Sequence, residues 1–133
     1  MEKLIIRRPD DWHCHLRDGH YLSRTVIDQA HQFRRSIVMP NLQPPVTTVE
    51  HAVSYRQNIL SYLPDDTPFE PLMTLYLTPQ CDHEQLVKAQ QSPFIKAIKL
   101  YPKGATTNSE SGVDCLKEIY PCLASMEPLA RFY

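Results

Sequence analysis

No stretch of this sequence is apolar for long enough to cross a membrane. The opening MEKLIIRRPDDW holds an apolar run of three residues, and nothing later approaches the roughly 18 to 20 that a bilayer requires. There is no excess of charge of one sign either: 14 Lys and Arg stand against 15 Asp and Glu, a formal net charge of -1, with no long run of either sign. A nucleic-acid binder carries a more basic balance, so that class of partner is set aside along with the membrane. The four cysteines, Cys14, Cys81, Cys115 and Cys122, include no C-x-x-C pair. That excludes a zinc finger and a disulfide framework and leaves reduced thiols in a cytoplasmic protein as the expectation. Internal repeats and low-complexity tracts are missing too. What remains, at 133 residues with 42% hydrophobic and 22% charged, is the composition of one globular domain with enough apolar material for a core.

The 12 prolines fall mostly between apolar segments and punctuate the elements. A short strand is expected near Leu4 to Arg7 and a second from about Trp12 to Leu16. Leu22, Val26, Ala30 and Phe33 then recur at helical spacing, and the helix ends near Arg34. Ser36 to Met39 reads as a buried strand that stops at Pro40, with a turn through Asn41 to Pro45. Thr47-x-x-Glu50 has the form of a capping box, and Val49, Ala52, Val53, Arg56 and Leu60 continue a helical stripe until Pro64. Phe69 to Leu77 is β-prone, Thr78-Pro79 reads as a helix entry, and Leu86, Val87 and Ala89 form a short apolar face closed by Ser92-Pro93. Phe94 to Tyr101 is a strand, Pro102 to Gly112 a polar loop, and Val113 to Met126 a helix kinked at Pro121. Strands alternating with helices at this spacing predict an α/β fold with a parallel sheet and right-handed crossovers. Periodicity leaves open whether that sheet is doubly wound or part of a barrel.

Two places carry chemistry. His13-x-His15 lies on a predicted strand, where the period of two puts both imidazoles on one face, near enough to share a metal such as zinc. Arg17-Asp18-Gly19 follows where a parallel strand meets its loop, the end at which α/β folds place their sites. Lys99 is the second place, since alternation along Ile95, Ala97, Lys99 and Tyr101 puts it on one pleat of a strand expected to be covered on both faces. A lysine at a strand end ordinarily packs its stem and leaves its ammonium in water. A desolvated one has a lowered pKa and, as a neutral amine, can add carbon dioxide to become an anionic oxygen ligand for metals.

Three blocks together resemble one known family. Asp11-Trp12-His13-Cys14-His15-Leu16-Arg17-Asp18-Gly19, then Val38-Met39-Pro40-Asn41 with Pro44-Pro45-Val46-Thr47-Thr48, then Lys99-Leu100-Tyr101-Pro102 with Ala105-Thr106-Thr107-Asn108-Ser109, are similar in order and spacing to the shorter, single-enzyme dihydroorotases of the amidohydrolase superfamily. The likeness runs from about Leu4 to about Met126. It implies the N-terminal part, about three to four βα units, of a TIM-type (β/α)8 barrel, a fold that takes about 250 residues. By this resemblance His13 and His15 hold the more buried of two zinc ions, and a carboxylated Lys99 bridges both. Arg17 and Asn41 hold the substrate carboxylate, and Thr106 and Thr107 belong to a loop that closes over the substrate. The implied reaction is the reversible hydrolysis of L-dihydroorotate to N-carbamoyl-L-aspartate in pyrimidine synthesis, and the implied assembly of the intact family is a homodimer.

The sequence departs from the family after Met126. There the family continues into a fourth barrel strand ending at a histidine, whereas this chain reads Glu127-Pro128-Leu129-Ala130-Arg131-Phe132-Tyr133, an ending expected of a truncation or shifted frame. The two later histidines and the catalytic aspartate of the family have no counterpart, and His20, His31, His51 and His83 receive no metal role. Residues 1–133 therefore read as an incomplete amidohydrolase barrel domain with at most a partial zinc site. Such a chain is expected to be inactive alone, to expose sheet edges and to aggregate readily. The competing reading is a non-catalytic remnant serving as a binding or structural module; another cyclic-amide hydrolase is a third.

Overall fold

The computed structural model describes residues 2–129. Four strands, β1 (Asp10–Cys14), β2 (Arg35–Val38), β3 (Glu70–Tyr76) and β4 (Ile95–Lys99), alternate with the helices α1 (Leu22–Gln32), α2 (Val49–Ser61) and α3 (His83–Gln91), and α4 (Tyr120–Met126) follows. The sheet is wholly parallel with the order β1-β2-β3-β4. Each strand therefore lies beside the next in sequence, one helix joining each pair, which is how a (β/α)8 barrel begins rather than a doubly wound sheet, where the order reverses. The strand carrying Lys99 is already the fourth, so the continuation implied by the resemblance would be a fifth.

Burial explains which strand is central. Every residue from Pro71 to Tyr76 in β3 is buried, as expected for a parallel strand covered on both faces. The main core lies between sheet and helices and includes Leu16, Leu22, Val26, Val38, Val46, Ala52, Tyr55, Ile59 and Met73. A second, smaller cluster of Leu77, Leu86, Val113, Ile119 and Cys122 seats α4. No helix among the described residues is long and apolar enough to cross a membrane.

Several local expectations shift. Leu4 to Arg7 forms no strand; Leu4, Ile5 and Ile6 are exposed, since a strand needs a neighbour for its backbone groups and the ties of this segment come after it, from Arg8 Nη1 to the Ala30 carbonyl at 3.3 Å and from Arg34 N–H to the Pro9 carbonyl at 2.8 Å. The N-cap of α2 is Thr48 rather than Thr47: its hydroxyl accepts from His51 N–H at 3.2 Å, and Gln85 Oε1 of α3 takes Val49 N–H at 2.8 Å. The buried stripe of α2 is accordingly Ala52, Tyr55 and Ile59. Helix α3 starts at His83, capped by Asp82, five residues after Thr78. Pro121 opens α4 instead of kinking it, following a 3-10 turn over Leu116–Ile119. That is the position where a missing N–H costs nothing.

Thr48→Ala is expected to lower stability by about 1 kcal/mol, as loss of a side-chain N-cap does, while Thr47→Ala leaves it within about 0.5 kcal/mol, as for an ordinary surface change. Urea unfolding of the two variants measures the difference.

Candidate metal and carboxylate site

All the residues singled out in the sequence lie at one end of the sheet. His13 is in β1, and His15 and Arg17 follow its end; Asn41 follows β2; Lys99 is the last residue of β4; Thr106 and Thr107 lie in the loop after it. These are the carboxyl ends of parallel strands, where loops rather than packed side chains form the surface.

The two imidazoles meet: Nε2 of His13 is 3.0 Å from Nε2 of His15. Alternation holds from His13 to Leu16, with the two imidazoles on one side and Cys14 and Leu16 buried on the other; it fails upstream, where β1 carries an extra residue between Asp11 and Cys14 relative to β2. The bulge turns Trp12 outward, 64% exposed, while Cys14 and Leu16 pack into the core. Nitrogens at this separation share a proton or a cation, and two ligands on one tetrahedral zinc sit about 3.3 Å apart given Zn–N bonds of about 2.0–2.1 Å. Burial, then the positive Arg17, then His13 hold the His15 pKa below its ordinary value, which favours the neutral imidazole a metal needs. Two imidazoles so placed are donors that a zinc ion would accept, and His13 and His15 are the residues that would hold it. No group of three or more His, Cys, Asp or Glu side chains able to hold a metal occurs among the described residues.

Arg17 is held in an unusual pose. Its φ is 65°, a left-handed backbone that a non-glycine residue adopts only at a cost, and its carbonyl accepts the Tyr55 hydroxyl at 2.5 Å. The Nη1 nitrogen is buried with no hydrogen-bond partner among the described residues. An unmatched guanidinium nitrogen is costly, and a carboxylate is the group whose geometry matches it.

Asn41 is 2% exposed and serves as the anchor of the loop. Its Nδ2 donates to the Thr107 carbonyl at 2.9 Å, its Oδ1 accepts from the Tyr101 hydroxyl at 3.1 Å, and its own carbonyl accepts from Asn108 Nδ2 at 3.1 Å. An amide nitrogen has two N–H donors, so one is left for a ligand. Thr106 and Thr107 themselves are exposed; the loop is held by backbone groups, with Ser109 Oγ accepting from Thr106 N–H at 2.9 Å. Lys99 is half-buried, its Nζ 5.5 Å from the centre of the Tyr101 ring, which in turn stacks on Tyr76 at 4.9 Å. The expected pleat of Ile95, Ala97 and Lys99 is broken, because an extra residue of β4 lies between Ile95 and Ala97. Ile95 joins the core while Ala97 is exposed.

Tyr101 and Tyr55 were not singled out by sequence reasoning. Tyr101 lies inside the Lys99 block, but its partner Asn41 is 60 residues away; Tyr55 on α2 is 38 residues from Arg17. Asn41→Ala is expected to free the loop: amide exchange across residues 104–109 rises by at least about tenfold, as loss of buried hydrogen bonds worth about 1–3 kcal/mol implies. Exchange in β3 stays unchanged.

The geometry matches known proteins closely. A curated dihydroorotase of Coxiella burnetii is 57% identical over 127 residues, 96% of this chain and 36% of the relative. Over nearly its whole length this chain is similar to dihydroorotases. That of Cupriavidus taiwanensis is 55% identical over 126 residues, covering 95% of this chain and 37% of its own length. Among solved structures, the crystal structure of dihydroorotase from Campylobacter jejuni superposes with a TM-score of 0.83 at 36% identity, over 96% of this chain and 39% of that one. Dihydroorotase from Saccharomyces cerevisiae in complex with 5-fluoroorotic acid superposes with a TM-score of 0.78 at 30% identity, over 91% and 33%. No family model matches the chain. The chain spans about 36% of the length of that first relative, and its fold matches an N-terminal part of the solved dihydroorotase structures.

Proposed function

We propose that residues 1–133 form an incomplete amidohydrolase barrel domain carrying half of a dihydroorotase site, for reversible hydrolysis of L-dihydroorotate to N-carbamoyl-L-aspartate. The observation that carries this reading is the buried, partnerless Nη1 of Arg17 at the same sheet end as two imidazoles 3.0 Å apart: a carboxylate receptor beside a cation site. His13 and His15 would hold a zinc ion, which would supply Lewis acidity towards a water and an amide carbonyl. The protein's own side chains do the rest. Arg17 pairs with the substrate carboxylate through its planar fork, and the second N–H of Asn41 adds a neutral donor. Thr106 and Thr107, on the loop that Asn41 anchors, offer hydroxyls to the bound ring and restrict water. Lys99, as a carbamate, would add an anionic oxygen ligand to the metal site.

The proton-shuttling acid–base group and the remaining metal ligands are assigned to no residue of this chain. Zinc dependence, a cytoplasmic place of action and a homodimeric intact assembly belong to the same proposal. In the chain alone Lys99 is expected to stay an unmodified amine, because the carbamate depends on metals whose ligands are not all assigned here; native intact mass is the check, with no added carbon dioxide expected.

The test is complementation. The chain with zinc and L-dihydroorotate is expected to form no carbamoyl aspartate, and mixing it with the separately expressed remainder of the Coxiella burnetii relative restores activity, which Lys99→Ala removes. Activity absent from the mixture, although the two pieces associate stably, would leave the non-catalytic module as the better reading.

A further inference from the structure

The turn after β1 is held from outside the site by side chains of two helices. Thr25 of α1 donates its hydroxyl to the Leu16 carbonyl at 2.8 Å, and Tyr55 of α2 donates its own to the Arg17 carbonyl at 2.5 Å. The first carbonyl lies in the peptide plane before the Arg17 Cα and the second in the plane after it, and the rotations of these two planes about the Cα are φ and ψ. Fixing both keeps Arg17 at its φ of 65°, a region that a non-glycine residue leaves when nothing restrains it. One turn along α2, Asn58 Nδ2 donates to Asp18 Oδ1 at 3.2 Å, and the same oxygen accepts from Gly19 N–H at 2.7 Å. Residues three apart on a helix share a face, so Tyr55 and Asn58 hold successive residues of the turn.

We propose that Tyr55 is a positioning residue for carboxylate recognition: its hydroxyl locks the left-handed backbone at Arg17 and so aims the guanidinium at the ligand. This rests on the carboxylate role given to Arg17 above and adds the group that sets its direction.

The hydroxyl, rather than the ring, carries this role. Tyr55 is 4% exposed and its ring belongs to the main core, where a phenylalanine would pack as well. A hydroxyl buried in apolar surroundings costs stability unless it is bonded, and this one is bonded to Arg17. Burial, with the Asp18 charge adding to it, raises the Tyr55 pKa, so the oxygen keeps its proton and stays a donor. At the other end of Arg17, Nη1 is buried with no partner among the described residues, so no hydrogen bond of that nitrogen sets its direction and the backbone does.

Carboxylate binding is read on the chain itself, without turnover, from the amide shifts of residues 16–19 as L-dihydroorotate is added. Tyr55→Phe is expected to weaken binding by about five- to tenfold, the weight of one hydrogen bond, and Arg17→Ala by on the order of a hundredfold, as loss of a charge-assisted pair does. With Arg17→Ala already in place, Tyr55→Phe has no further effect, the non-additivity of a residue that acts through another. Thr25→Val weakens binding in the same direction. 5,6-Dihydrouracil, the same ring without the carboxylate, does not distinguish Tyr55→Phe from the unmutated chain. Ile59→Val, on the next turn of α2, removes a buried methylene and lowers the Tm without changing the affinity. If Arg17→Ala loses affinity while Tyr55→Phe keeps it, the positioning role falls and the carboxylate site stands. A Tyr55→Phe loss that persists undiminished beside Arg17→Ala, or is matched by Ile59→Val, makes Tyr55 a core residue and overturns the proposal. Arg17→Ala without effect removes the carboxylate site and the proposal with it.

Discussion

Replacing His13 or His15 by alanine is expected to weaken zinc binding by at least about a hundredfold, the upper end of what loss of even an indirect supporting group costs a metal site. The two nitrogens stand 3.0 Å apart, so each variant leaves a single imidazole donor and removes the chelate. His83 serves as the control, since it opens α3, is exposed and has no place near the pair. Competition against a chromogenic chelator gives the affinities without any need for turnover. Equal affinity in the unmutated chain and His13→Ala would mean that the imidazole pair is held by a shared proton alone, and the proposed cation site would fall with it. Affinity should also drop as pH falls through the His15 pKa, because protonated imidazole has no lone pair to offer. That pKa is held low by burial and by Arg17, so binding persists to more acidic pH than a free histidine would allow.

The large features were readable from residue order because they depend on local pattern. Alternating β-prone and helical stretches place β2, β3, β4 and the three crossover helices within a few residues of where they form, and the strand ends follow from the prolines and polar turns. His13, His15, Arg17, Asn41 and Lys99 fall at those ends, so their gathering at one end of the sheet needed only the parallel order. What sequence did not reveal is set by distant partners. The bulges in β1 and β4 exist relative to β2 and β3, and no local pattern encodes an extra residue in one strand of a pair. Thr47 and Thr48 are chemically equal candidates for an N-cap; the choice falls to Thr48, with Gln85 of α3 capping the next residue. Asn41 reads as a turn residue, yet its buried amide joins Tyr101 and the Thr107 carbonyl across the site. Residues 130–133, where the sequence reads as a departure from the family, lie outside the described residues.

Ile59→Ala should cost about 2–5 kcal/mol, the range for removing a fully buried branched side chain together with the cavity it leaves. Ile59 is 0% exposed on α2, packed into the core with Leu16, Leu22, Tyr55 and Met73. Against a typical total of about 5–15 kcal/mol for a folded domain, this is a large fraction, and more so in a sheet whose β1 and β4 have no further strand beside them among the described residues. The comparison that decides the balance of forces is Lys88→Ala. Lys88 makes two ion pairs, to Glu84 at 2.8 Å and to Glu50 at 3.3 Å, linking α3 to α2. Both carboxylates are about two-thirds exposed, so water and salt screen the pairs and their loss should cost under about 1 kcal/mol. In urea unfolding Ile59→Ala is expected to move the midpoint down by on the order of 1 M or more, given slopes of about 1–3 kcal/mol/M. The alanine at 88 moves it by a small fraction of that, and by less still in high salt. Equal shifts for the two would mean that α2 is held to the sheet by charge rather than by burial, and the main core would have to be redrawn.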